Sequence, residues 1–133
     1  MYGDLLDEYP VKTGSVWEFS RGILVCGSAL DEELWRYIPQ VSCVYTDPPW
    51  SQGNMSMFYK FAKRVPETSF HGFINGIMKL MAEKTLFYSS VYLDMGLREY
   101  GNVMRIARMY GWQEVLVQTT YYGKPSRPCY TVF

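Results

Sequence analysis

Val41-Ser-Cys-Val-Tyr-Thr-Asp-Pro-Pro-Trp50 decides how this chain is read. Val41 to Thr46 is a β-branched and apolar run, the composition of a strand. It is cut off by Asp47-Pro48-Pro49, because proline fixes φ and has no N–H to donate to a ladder. In open α/β sheets ligands sit beyond the carboxyl ends of the strands, and Asp47 stands at such an end. The corner also has a specific chemistry. An exocyclic amine on a planar base is a poor nucleophile, since its lone pair is delocalised into the ring. The Asp47 carboxylate can accept one of its N–H groups, and the main-chain carbonyl of Pro48, held by two consecutive prolines, can accept the other. Trp50 adds a flat face on which a base can stack once it has left a duplex. Asp and Pro are also ordinary turn residues, and a turn is what the chemistry requires, so the two readings agree. From average residue usage a chance match has a probability below roughly one in a thousand.

Outward from the corner the chain alternates between strand and helix patterns. Gly22 to Gly27 reads as a strand, the run Ile23-Leu-Val-Cys26 being bounded by glycines. Asp31 to Tyr37 opens with acids suited to a helix N-terminus, and Pro39 stops it. Beyond Trp50, Ser56 to Lys63 is predicted helical. A second helix runs from Pro66 or Ser69 to Glu83, with Phe73, Ile74, Ile77, Leu80 and Met81 on one face. Thr85 to Tyr92 is a strand rich in Leu, Phe, Tyr and Val. Leu97 to Tyr110 is an amphipathic helix that groups Tyr100, Val103, Met104 and Ala107 and stops at Gly111. Glu114 to Tyr122 and Pro128 to Phe133 pair as a hairpin across Gly-Lys-Pro-Ser-Arg. Residues 1–20 have no clear periodicity and read as an N-terminal arm with a short helical turn. The order predicts an α/β fold, a mostly parallel sheet with an antiparallel C-terminal end.

Thirteen basic residues balance thirteen acidic ones, so no global field draws the chain to DNA. Affinity for a polyanion must come from a local patch or from a partner. A hydrophobic content of 48% with 17% aromatics predicts one packed globule, some of whose many tyrosines and tryptophans are half exposed at an interface or a base-binding surface. Cys26, Cys43 and Cys129 are odd in number, in apolar settings and without a C-x-x-C pair; they read as buried thiols of a reducing compartment. With His71 as the single histidine, no metal site is expected. No apolar run reaches the roughly eighteen residues of a membrane span, and the N-terminus is acidic, so a soluble cytoplasmic protein with no membrane contact is expected.

The stretch Thr46-Asp-Pro-Pro-Trp-Ser-Gln-Gly-Asn-Met55 resembles the amino-methyltransferases, S-adenosyl-L-methionine-dependent enzymes that methylate adenine N6 or cytosine N4 and carry a D/N/S-P-P-Y/F/W signature. It is most similar to small phage and prokaryotic DNA adenine methyltransferases with a T-D-P-P-W-x-x-G-N block. Residues 121–133 are similar to their closing hairpin. The resemblance runs roughly from Gly22 to Phe133, and only the first block is specific. It implies a Rossmann-like methyltransferase sheet, or part of one, with residues 21–133 as a catalytic half-domain behind the arm. It also implies S-adenosyl-L-methionine as cofactor, a flipped adenine of DNA as substrate, and Asp47, Pro48, Pro49 and Trp50 as the catalytic corner.

One part of the pattern is missing. The family's Gly-rich strand-to-helix turn, D/E-x-F/P-x-G-x-G, follows no strand here. In one circular order of the family it lies beyond the closing hairpin, and this chain stops at Phe133. Gly27 in Val25-Cys-Gly-Ser-Ala29 is the nearest approach, so Cys26 and Gly27, with Asp47, are the expected cofactor contacts. An ordinary strand-to-helix connection is the competing reading of Gly27.

Ser51, Gln52 and Asn54 are candidates for the base edge, or for ordering the loop. Lys124 and Arg127 on the hairpin tip are candidates for the nucleic-acid backbone. Lys60, Lys63 and Arg64 form a short basic cluster, for phosphates or for solvent. Arg98, Arg105 and Arg108 lie away from the apolar stripe of their helix and read as solvent-facing. Without cofactor-binding strands beside it, the edge Val41 to Tyr45 has unpaired backbone groups and invites association. A homo-oligomer, or a partner chain carrying the cofactor-binding half, is therefore expected, with weak DNA binding by the chain alone. Alternatively the strand at Gly22 moves in beside the signature strand. Two other functions follow from the missing turn: a non-catalytic binding or regulatory subunit, and one half of a split enzyme.

Overall fold

Glycines and the Ser20-Arg21 turn fold the first stretch back on itself. In the computed structural model, which describes residues 11–113 and, as backbone strands, 117–120 and 129–132, strand β1 (Val16–Phe19) pairs antiparallel with β2 (Gly22–Val25). The ladder is extended by Gly14 N–H donating to the Cys26 carbonyl at 2.7 Å and by Cys26 N–H donating to the Ser15 carbonyl at 2.9 Å. A single 3₁₀ turn, Leu34–Tyr37, follows, and the Trp35 indole N–H donates to the Ala29 carbonyl at 2.9 Å. The chain divides into two compact units, Met1–Pro39 and Gln40–Phe133, and this hairpin with its 3₁₀ turn belongs to the first.

Two expectations change here. Part of the predicted arm is a strand, because Val16-Trp-Glu-Phe19 is too short to register as a period but finds a partner across a tight turn. The strand at Gly22 is hydrogen-bonded to β1, and it does not join the signature strand.

The second unit is built on a four-stranded sheet in the order β3, β4, β6, β5. Strand β3 (Val41–Thr46) is the signature strand, and β4 (Thr85–Gly96) lies parallel to it. Strands β5 (Val117–Thr120) and β6 (Cys129–Val132) form the antiparallel C-terminal hairpin, with β6 against β4. Parallel pairing is thus confined to β3 and β4, and the predicted predominance of parallel strands is not found among the described residues. The molecule is mixed α/β.

Helix α1 (Gln52–Phe61) leaves the signature corner. Helix α2 (Phe70–Lys84) starts at the cap Ser69, whose hydroxyl accepts from Gly72 N–H at 3.1 Å. A 3₁₀ turn, Leu97–Glu99, leads into α3 (Tyr100–Met109). Helices α2 and α3 are joined by the Tyr110 hydroxyl donating to Asn75 Oδ1 at 3.1 Å, and His71 Nε2 lies 3.0 Å from Glu99 Oε2. Their apolar faces make the core: Ile74, Ile77, Met78 and Met81 from α2 and Val103, Met104, Ile106 and Ala107 from α3 are buried. Leu93 and Met95 of β4 are buried too, each such side chain contributing about 1.5–3 kcal/mol relative to exposure. Tyr92 and Asp94, which alternate with them, are only half-buried, as the pleat requires.

The two helix ends differ in an informative way. Both close with paired bonds of the Schellman type. In α3 these are Gly111 N–H to the Arg108 carbonyl at 3.1 Å and Trp112 N–H to the Ala107 carbonyl at 3.2 Å, with Gly111 at φ 80°. In α1 they are Lys63 N–H to the Lys60 carbonyl at 3.1 Å and Arg64 N–H to the Tyr59 carbonyl at 2.9 Å, and the left-handed position is held by Lys63 at φ 53°.

No helix among the described residues is long and apolar enough to cross a membrane.

Candidate active site

The end of β3 delivers Asp47 one residue beyond Thr46, which lies opposite Leu93 of β4. Asp47 is exposed, Pro48 is buried, and Pro49 and Trp50 are half-buried. The four residues of the corner are tied together from within: the Trp50 indole N–H donates to Asp47 Oδ1 at 2.7 Å, the short distance expected of a hydrogen bond to a charged acceptor. That bond fixes the rotation of the indole plane relative to the carboxylate. It uses one oxygen of Asp47; no described residue bonds Oδ2, which is an acceptor that a ligand could use.

The corner is backed by β4. A Cβ on Gly96 would lie 3.0 Å from the Trp50 carbonyl oxygen and 3.2 Å from Trp50 Cβ, so the main chain of Trp50 rests directly on this glycine. Two residues earlier, the carboxylate of Asp94 accepts from the Tyr45 hydroxyl at 3.0 Å, linking the ends of the two parallel strands. Asp94 and Tyr45 carry no local sequence mark of this role. The signal for Gly96 was present: a glycine within a strand often marks the close approach of another backbone.

The residues after the corner have local work. Ser51 caps α1, its hydroxyl accepting from Asn54 N–H at 3.3 Å and donating to Asn54 Oδ1 at 3.0 Å. Gln52 reaches across to the next helix, its Oε1 accepting from Phe70 N–H at 2.8 Å and so satisfying an end group of α2, while its Nε2 lies 3.4 Å from the Ser56 hydroxyl. In this arrangement Ser51, Gln52 and Asn54 order the loop and two helix starts. Lys124 and Arg127 lie outside the described residues.

Cys26 and Gly27 belong to the first unit. A side chain on Gly27 would collide with Leu34 Cδ1, so the space that a Gly-rich cofactor turn keeps open is filled by leucine. The segment then tightens, with Leu30 N–H donating to the Ser28 hydroxyl at 3.2 Å and Asp31 N–H to the Ser28 carbonyl at 3.1 Å. It leads into a four-residue 3₁₀ turn and not into a helix of useful dipole. With Leu34 in this position, Gly27 presents no open turn to a methyl donor. The chemistry at Gly27 is that of close packing.

The second unit also contains a cavity of about 960 Å³, lined among others by Met78, Leu93, Met104, Tyr110 and Trp112. None of the corner residues lines it. Among the described residues no group of three His, Cys, Asp or Glu side chains is placed to hold a metal, and Cys26 and Cys43 are free thiols.

No protein-family model, curated protein or solved structure matches this chain.

Proposed function

We propose that the chain is the base-holding part of an S-adenosyl-L-methionine-dependent amino-methyltransferase acting on the exocyclic amine of adenine in DNA, in the cytoplasm, and that its sheet is a portion of a Rossmann-like one. The observation that carries this reading is the bond between Trp50 Nε1 and Asp47 Oδ1 at the exposed end of a strand parallel to its neighbour. The bond spans three residues and serves a turn as well as a clamp; a clamp gains from it because the stacking plate and the acceptor keep one geometry while a base enters.

In this reading a flipped adenine lies on the Trp50 indole, and its amine donates one N–H to Asp47 Oδ2 and the other to the Pro48 carbonyl. Both acceptors draw the nitrogen toward tetrahedral geometry and return its lone pair from the ring. The bound methyl donor supplies an electrophilic methyl group. The described residues fit the base side of this chemistry and not the donor side, so the donor-holding surface is assigned to residues beyond them or to a partner chain. Strand β3 supports that division: its one strand neighbour among the described residues is β4, and Cys43 and Tyr45 on it are exposed.

The test is transfer of tritiated methyl from S-adenosyl-L-methionine to adenine-containing DNA by the purified chain, alone and together with any protein that co-purifies with it, with Asp47→Ala as the paired control. Transfer that disappears in the variant supports the reading, and transfer that survives it removes Asp47 from the chemistry. The packing of Gly27 against Leu34 favours a second reading, a base-binding module without a donor site of its own. Binding of S-adenosyl-L-methionine by the chain alone, measured by isothermal titration, rules out the second.

A further inference from the structure

Helix α1 has a single buried side chain, Met55, and is tied to α2 by Gln52. From Gln52 to Pro66 there is no acidic residue, and the C-terminal end of the helix carries Lys60, Lys63 and Arg64, all exposed. Cations here complement the helix dipole, which alone would make them a solvated cap. That account does not cover the apolar residues among them. Phe58 is 54% exposed, Phe61 78% and Val65 82%, and Met57 is exposed as well. Nor does it cover Lys63, a lysine in the left-handed position where α3 uses glycine. Strain kept at a charged residue is a sign of use.

We infer that this end of α1 is a docking surface for single-stranded nucleic acid, the strand flanking the base held at the corner. Single-strand binders combine cations that follow the phosphates with aromatic faces that accept any base, and Lys60, Phe61, Lys63 and Arg64 supply both within five residues. Charge complementarity selects the partner, since the segment from Gln52 to Pro66 has three cations and no carboxylate, the first acid being Glu67. Continuity places it, since α1 begins two residues after Trp50. The choice of nucleic acid over another anionic surface rests on the clamp reading; the surface itself does not.

The experiment is fluorescence anisotropy of the full chain with labelled oligothymidylate about 16 nucleotides long, the upper site size of common single-strand binders, over a range of salt concentrations. Thymidylate offers no amine, so the clamp is not engaged. Phe61→Ala is expected to weaken binding by roughly five- to a hundredfold, the range for loss of one stacking platform. The combined variant Lys60→Gln, Lys63→Gln, Arg64→Gln is expected to reduce the slope of log K against log salt by about 2. The combined variant Arg98→Gln, Arg105→Gln, Arg108→Gln, on α3 and the 3₁₀ turn before it, removes the same charge and is expected to leave the slope unchanged. The inference is overturned if the wild-type chain does not bind the oligonucleotide, or if the two charge variants behave alike. It is also overturned if the Phe61-dependent binding is found with phosphatidylserine vesicles and not with the oligonucleotide. A chain that binds thymidylate in this way but never transfers methyl keeps the surface and loses the clamp; methyl transfer without α1-dependent binding does the reverse.

Discussion

Trp50 and Asp47 are joined by a 2.7 Å hydrogen bond from indole Nε1 to carboxylate Oδ1, so the stacking plate and the acceptor of the proposed clamp move as one piece. Trp50→Phe keeps a ring and removes the donor, whereas Trp50→Ala removes both. The clamp reading orders their effects on affinity for an adenine-containing single strand: alanine costs about 1–3 kcal/mol, and phenylalanine costs less. Equal losses in the two variants would mean that the ring face is not used.

Asp47→Asn retains an oxygen for the Trp50 indole and removes the charge. Asp47 is exposed, so unfolding stability should stay within about 0.5 kcal/mol of wild type. On the proposed function, methyl transfer should fall about 100-fold or more, the usual loss when one preorganised hydrogen-bonding group is removed. Urea denaturation and single-turnover kinetics on the same preparation check both halves.

Gly96→Ala should disturb the corner from behind. A Cβ at 3.0 Å from the Trp50 carbonyl oxygen meets backbone, which cannot rotate aside as a side-chain end can. The expected destabilisation is about 1–3 kcal/mol. In ¹⁵N-indole spectra the Trp50 resonance should shift while those of Trp17, Trp35 and Trp112 do not. A Trp50 signal unchanged in this variant would show that the glycine does not set the position of the ring.

Gln52→Ala separates a structural role from a binding one. Loss of its bond to Phe70 N–H leaves a partly buried donor at the start of α2 unpaired, which costs about 1–2 kcal/mol. Chemical denaturation should report that loss, and thymidylate affinity should not change.

Lys63→Gly should stabilise the chain. A non-glycine residue in the left-handed region carries a penalty of about 1 kcal/mol, which glycine relieves. Differential scanning calorimetry should therefore show a higher melting temperature together with weaker oligonucleotide binding, an exchange of activity for stability.

What the sequence disclosed depended on how local the determining forces were. Strand β3 runs from Val41 to Thr46 as read, because proline on either side leaves that run no other length. Helix α2 was legible from its spacing, and Ile74, Ile77, Leu80 and Met81 are buried, with Phe73 half-buried at the edge of the stripe. Helix α1 begins at Gln52 and not at Ser56; Gly53 and Asn54 lower the propensity of its first turn, and the Ser51 cap compensates. Strand β4 continues through Asp94 and Gly96, which have the composition of a turn, because β6 pairs with it from Leu93 to Gly96, beyond the last pair with β3. Pairing was the least legible property. That β2 joins β1, and that β4 lies between β3 and β6, depends on contacts between distant residues that no local window contains. The corner itself could be read as chemistry, but its support by Gly96 and the bond between Tyr45 and Asp94 could not.

The ladder between β3 and β4 has a jump in it: Val41 faces Thr85, but Cys43 faces Ser90, so β4 carries three more residues than β3 over that interval. Three is odd, and an odd surplus inverts which side chains point to which side of a pleated strand. Leu93 and Met95 are turned inward, and Tyr92 and Asp94 outward, by the parity of the Leu86 to Ser89 excursion, where Phe87 and Tyr88 meet edge to face with ring centres 4.8 Å apart. Removing or adding one residue in that excursion would exchange the two sets, burying the Asp94 carboxylate and exposing Leu93 and Met95, whereas a change of two would leave the indexing intact. The far end of the strand thus acts as a counter for the near end, and length variation between residues 86 and 89 should be tolerated only in even steps.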